Sequence, residues 1–198
     1  MPSLRILSTA VDTTEEIGRA LGSCVNPGSL ITMSGQLGAG KTAMTRGIAR
    51  GLGIQDSVTS PTFTLAQIYG PGERRLMLHH NDVYRLESAE DFEEAGLAES
   101  LETDAITVVE WAERVADALP DADVSIALDR DAEEADLTVQ AQLVTADELE
   151  EPDAEQIVLP EDDVPRVVIL QFKDKMVMER FLVELAPEVQ VLDKGADT

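Results

Sequence analysis

The chain has 198 residues, 43% of them hydrophobic and 27% charged, which suits one well-buried domain and argues against wholesale disorder. No apolar run approaches the length of a membrane span and no basic-then-apolar stretch follows Met1, so a membrane segment and a secretory leader are both unexpected. The lone Cys24 rules out a disulfide framework and fits a reducing, cytoplasmic setting, while a net charge of −24 disfavours direct, stable binding of nucleic acid.

In chain order, residues 4–7 read as a short strand. Thr13 or Thr14 is placed to cap the following helix, in which Ile17, Ala20 and Leu21 share one face. The apolar run 30–33 stops at a glycine-rich turn, as a buried parallel strand does, and a helix over 41–52 ends at Gly51 and Gly53. Residues 63–69 read as a strand, Pro71-Gly72 as a turn and 75–82 as the next strand. Helical pattern covers 89–101 and 111–118, on either side of an apolar strand at 105–110 that ends in a carboxylate. Residues 124–128 and 137–144 look like a closing pair of strands. This alternation predicts an α/β layered domain with a mainly parallel sheet.

The charge is uneven. Residues 1–100 carry a net −4 and residues 101–198 a net −20; from Asp131 to Asp163 there are 13 acidic residues and no Lys or Arg. That stretch reads as a solvated, salt-adapted surface and linker more readily than as an arm for a basic partner. Pro152, Pro160 and Pro165 punctuate it, and the pattern strand–helix–strand resumes over 166–172, 175–185 and 189–192. The division is therefore 1–144 for the main domain, 145–165 for an acidic linker and 166–198 for a C-terminal extension. In that division residues 146–198 are removable without loss of nucleotide binding, unless 167–170 adds a strand to the main sheet.

The chemistry concentrates at Gly35, Gln36, Leu37, Gly38, Ala39, Gly40, Lys41 and Thr42, a complete G-x4-G-K-[ST] phosphate-binding motif. A strand enters it and a helix leaves it, which is the context the motif requires. Its glycines let backbone N–H groups curl around phosphate oxygens at a helix N-terminus. Lys41 reaches the β- and γ-phosphates of ATP, and the Thr42 hydroxyl is a hard ligand suited to Mg2+.

Such a site needs a further carboxylate at a strand end and a polar loop near the γ-phosphate. Asp82 and Glu110 each close an apolar stretch, where functional groups of a parallel sheet gather, although either acid by position alone is equally a helix cap. Ser60, Pro61, Thr62, Phe63 and Thr64 lie where a nucleotide-sensing loop is expected, or form a capped turn. His80 is a candidate supporting residue, and Trp111, the only tryptophan, either stacks near the nucleotide or fills the core.

Taken together, Gly35 to Thr42, then Ser60-Pro61-Thr62-Phe63-Thr64-Leu65, His80-Asn81-Asp82-Val83-Tyr84-Arg85-Leu86 and Val108-Val109-Glu110-Trp111 resemble the bacterial TsaE (older name YjeE) family. That family is the ATPase of tRNA threonylcarbamoyladenosine biosynthesis. The likeness covers roughly residues 4–144. It implies a three-layer P-loop NTPase fold and a cytoplasmic protein working with TsaB and TsaD. It also implies Mg2+ held by Thr42 and Glu110 with Asp82 in the same site, Thr62 and Trp111 beside the nucleotide, and Lys41, Asp82 and Glu110 as catalytic residues. ATP hydrolysis would reset the TsaB–TsaD complex.

Three departures stand out. Gln36 replaces the family's usual Asp; Glu133-Glu134-Ala135-Asp136 stands where a Gly-Arg pair usually precedes the last strand, with Arg130 the nearest substitute; and no counterpart is recognised from about residue 145 onward. Two other readings compete. A small-molecule kinase would use Asp82 as base, but the chain shows no dense arginine lid. A nucleotide-dependent binding module without hydrolysis is suggested only by Gln36.

Overall fold

The computed structural model describes residues 1–130 and 165–195. Eight strands form one mixed sheet: β1 (Ser3–Ser8), β2 (Leu30–Gly35), β3 (Ala66–Tyr69), β4 (Leu78–Asp82), β5 (Ile106–Glu110), β6 (Val124–Asp129), β7 (Arg166–Phe172) and β8 (Val191–Gly195). Their order is β3-β4-β5-β2-β6-β7-β1-β8. The helices among the described residues are α1 (Val11–Cys24), α2 (Lys41–Gly51), α3 (Ala89–Glu94) and α4 (Lys175–Glu184), with short 3-10 helices at Leu97–Leu101, Ala112–Arg114 and Ala116–Ala118.

The mainly parallel sheet expected from the alternation is corrected to a mixed one. Only the central four strands, β4-β5-β2-β6, run parallel. β3 returns antiparallel beside β4 through a short connection, and β7, β1 and β8 are each antiparallel to their neighbours. A parallel pair needs a long crossover, whereas a hairpin needs only a turn, so the short 70–77 connection dictates an antiparallel β3–β4 pair.

The piece set apart at 166–198 contributes β7 and β8 to this sheet. β7 lies between β6 and β1, with Ile126 opposite Leu170 and Ile6 opposite Val168. Thus β6 pairs with β7; the strand expected over 137–144, like the 145–164 part of the expected linker, lies outside the described residues. Val168, Leu170 and Phe172 join the main core, and Phe181 of α4 packs 5.6 Å from Phe172, ring centre to ring centre.

Side-chain alternation sorts the central strands into two cores. Ile31, Met33, Ile106 and Val108 face α1, α2 and α4, while Leu30 and Val109 face α3 and the 3-10 turns. β5 is buried along its whole length, as an interior parallel strand should be. Helices α1 and α2 approach closely: a side chain at Gly22 would strike the backbone of Ile48, and one at Gly47 the backbone of Glu15. Glu15 also pairs with Arg46 at 2.7 Å, so α2 is fixed against α1 by both shape and charge.

Some local expectations shift. α1 starts at Val11, and Thr14, rather than capping it, is buried with its hydroxyl 2.7 Å from that of Ser8. The helix expected over 89–101 breaks at Gly96, whose φ of +71° no helix continues. Phe63 is 83% exposed and precedes β3 instead of entering it.

Candidate functional site

β2 delivers the chain to Gly35 and α2 leads it away from Lys41, so the glycine-rich loop sits at the carboxyl end of the parallel strands. Gly40 has φ +102°, a left-handed conformation that an L side chain resists, and an added Cβ there would strike Arg166. Lys41 is 5% exposed; its Nζ donates to the carbonyls of Gly35 (2.6 Å) and Gln36 (2.8 Å) and lies 3.6 Å from the centre of the Trp111 ring. Burial pushes its ammonium below the usual lysine range, against the opposing charges of Glu110, Glu113 and Asp82.

Asp82 and Glu110 are register partners on adjacent parallel strands, each 2% exposed. Their surroundings differ. Glu110 accepts from Thr42 at Oε2 (3.2 Å), and at Oε1 from Thr45 (3.1 Å) and from His80 Nε2 (2.7 Å). Asp82 accepts from the hydroxyls of Ser60 and Thr62 at Oδ2 and from the Tyr84 N–H at Oδ1, so it anchors the 60–64 loop. Phe63 projects from that loop into solvent with the Arg85 guanidinium 4.5 Å above its ring.

Trp111 takes φ +65°, a left-handed conformation costing a bulky residue about 1–2 kcal/mol. Its ring lies under the Lys41 ammonium, and the Tyr84 ring sits against it tilted by 51°, 4.9 Å from centre to centre. Leu65, another non-glycine residue with positive φ, follows the 60–64 loop. Two of the three such residues among those described therefore flank this site, as backbone strain at functional sites often does.

The structure brings together the residues expected to bind nucleotide and metal and to act in catalysis, while Phe63 points away from them into solvent. Gly38, Ala39, Gly40, Lys41, Thr42, Thr62, Asp82, Glu110 and Trp111 line one cleft of about 450 Å3, with Gly35 at its base. A larger cavity of about 540 Å3 on the opposite sheet face, between β2, β6 and β7, is lined by no Lys, Arg or His.

Sequence reasoning missed Arg166. It is 2% exposed, lines the cleft, and donates to the Ala39 carbonyl at 3.3 Å. Arg130, the substitute expected for the missing Gly-Arg pair, ends beside Gly38. The available signal was an arginine opening the apolar run of β7, but it lies 36 residues beyond Arg130 in the chain. Thr45 was also missed, since a threonine inside a helix carries no mark of what it faces.

Chemically, the loop offers N–H groups, Lys41 and nearby guanidinium groups to an anionic ligand. A hard divalent cation also fits. Thr42 Oγ1 and Glu110 Oε2 stand 3.2 Å apart, against about 2.9 Å between neighbouring ligands of an octahedral Mg2+ with bonds of about 2.0–2.1 Å. The described residues hold no cluster of three or more His, Cys, Asp or Glu; Asp82, the third residue expected at the metal, stands beside Glu110 with Oδ2 held by Ser60 and Thr62, and substrate and water would supply further ligands.

A family model described as Threonylcarbamoyl adenosine biosynthesis protein TsaE matches residues 8–139. The chain belongs to the TsaE family. It is 44% identical over 125 residues to the tRNA threonylcarbamoyladenosine biosynthesis protein TsaE of Treponema pallidum, covering 63% of this chain and 90% of that one. To the protein of the same name from Bacillus subtilis it is 38% identical over 130 residues, 66% and 80% of the two chains.

Among solved structures, YdiB of Bacillus subtilis matches with a TM-score of 0.64 at 26% identity, over 92% of this chain and 97% of that one. The fold likeness thus reaches well past residue 139, where the TsaE family match stops. This agrees with β7 standing inside the sheet. Among the described residues no helix is long and apolar enough to cross a membrane.

Proposed function

We propose that this TsaE-family chain is a cytoplasmic, Mg2+-dependent ATPase on a three-layer P-loop NTPase scaffold. It acts with TsaB and TsaD in forming the threonylcarbamoyl group on the adenosine next to the anticodon of tRNAs, and ATP hydrolysis resets the partner complex. The pathway comes from family membership and from the names its relatives carry. The observation that supports the ATPase reading is the convergence of Lys41, Thr42 and the buried Glu110 on one glycine-rich loop.

In this reading the loop N–H groups and Lys41 hold the phosphates, and Arg166 adds positive charge from β7. Thr42 and Glu110 hold Mg2+, which when bound offsets charge on the phosphates. Asp82 keeps Ser60 and Thr62 close to the phosphate end of the cleft, where their hydroxyls exchange partners as the nucleotide state changes. Contact with tRNA runs through the partner proteins, since a chain of net charge −24 lacks the clustered cations that phosphate backbones require.

Hydrolysis by wild type and Glu110→Gln, alone and with TsaB and TsaD, tests the proposal. Glu110→Gln is expected to retain nucleotide binding and to lose roughly 10²-fold in turnover. Equal turnover, or transfer of the γ-phosphoryl to an added acceptor rather than to water, would overturn it. Retention of TsaB and TsaD by the tagged chain should depend on ATP.

A further inference from the structure

We infer that Thr45 and His80 are positioning residues that hold one oxygen of Glu110 and so present the other, alone, to the divalent cation. The inference rests on the Mg2+-dependent reading above and adds to it two residues acting through Glu110.

Glu110 ends β5, and a glutamate there has a soft terminal torsion: nothing intrinsic chooses which oxygen faces α2. The neighbours choose. Thr42 and Thr45 are three residues apart on α2 and therefore share a face, and that face meets the two oxygens of one carboxylate. Thr45 Oγ1 lies 3.1 Å from both Glu110 Oε1 and the Lys41 carbonyl. The single hydroxyl proton serves one of these acceptors at a time, and a carboxylate is a stronger acceptor than a carbonyl that already takes a helical N–H, so the proton goes to Glu110.

From the other side comes β4. The His80 ring is fully buried, and its Nε2 lies 2.7 Å from Glu110 Oε1. An ionised carboxylate only accepts, so Nε2 carries the proton. Its other nitrogen, Nδ1, has no hydrogen-bond partner among the described residues. Among the described residues the bond to Glu110 is therefore the one ring hydrogen bond that orients His80. Two donors from two elements occupy Oε1, while among the described residues Oε2 accepts from Thr42 alone, which is the arrangement a one-oxygen ligand needs.

Removing a donor frees the carboxylate to rotate, and loss of such outer partners typically lowers metal affinity about 10–100-fold. The test is a Mg2+ titration of the full-length protein with ATP, read by emission of Trp111, for wild type, Thr45→Val, Thr45→Ser, His80→Phe and His80→Gln. Thr45→Val and His80→Phe keep shape and lose the donor, so the Mg2+ concentration at half-effect should rise about tenfold or more. Thr45→Ser and His80→Gln keep a donor and should restore it. ATP binding in chelator should be the same throughout, which a merely structural role would not leave intact.

Unchanged Mg2+ dependence in Thr45→Val overturns the inference while sparing the ATPase reading. Should Thr45→Val not fold, as judged by melting, an unchanged dependence in His80→Phe overturns it equally. A wild type whose ATP binding ignores Mg2+ overturns the parent reading.

Discussion

The Lys41 ammonium lies 3.6 Å from the centre of the Trp111 ring and donates to the carbonyls of Gly35 and Gln36 at 2.6 and 2.8 Å. Phosphate oxygens, being charged, are stronger acceptors than carbonyls, so ligand binding is expected to draw the ammonium off the ring. Trp111 is the only tryptophan, which makes its emission a direct report of that exchange.

Lys41→Ala should therefore weaken ATP binding by at least about 2–3 kcal/mol, roughly 30- to 150-fold in Kd. Calorimetric titration measures it. An affinity equal to wild type would remove Lys41 from the site.

Arg166 reaches the loop from β7 rather than from any neighbouring part of the chain. Arg166→Leu should lower ATP affinity roughly tenfold, the scale of one hydrogen bond to a charged group. Arg166→Lys should recover only part of this, because a lysine lacks the planar fork. If Arg166→Leu binds ATP as wild type does, the arginine serves the fold alone.

Deleting residues 165–198 should abolish folding. The deletion removes the buried side chains Val167, Val168, Leu170, Phe172, Val177 and Phe181 and strips β1 and β6 of a partner. At about 1.5–3 kcal/mol each, these six match the whole net stability of an ordinary domain, about 5–15 kcal/mol. Loss of the cooperative melting transition by circular dichroism is the expected result; a folded, ATP-binding remnant would show that β7 is dispensable.

Burial pushes the Cys24 thiol from 9.0 up to about 11, with Arg180 and Arg74 pulling the other way. The folded value is raised, so Cys24 contributes its full share below pH 9, where neither state has ionised. That share is lost as the pH climbs from 9 towards 11, because the unfolded chain gives up its proton first. Urea denaturation across that window should show a steeper fall for wild type than for Cys24→Ala. Equal slopes would mean the thiol is not protected by the fold.

What the sequence determined by itself was contiguous or strand-terminal. The loop from Gly35 to Thr42 is legible because its strand, glycines, lysine and helix are neighbours in the chain. Asp82 and Glu110 are legible because each ends an apolar strand. Tertiary structure alone decided the rest.

A strand's period-2 pattern is the same whichever way it runs, so 166–172 could be read as a strand but not as the antiparallel neighbour of both β1 and β6. That placement comes from packing Val168, Leu170 and Phe172 into a core assembled from distant segments. It is also what carries Arg166 to the loop. Likewise no local pattern in Lys41–Gly51 marks Thr45 as the donor to Glu110, sixty-five residues away, because hydrogen bonds between elements are set only once β5 and α2 lie side by side.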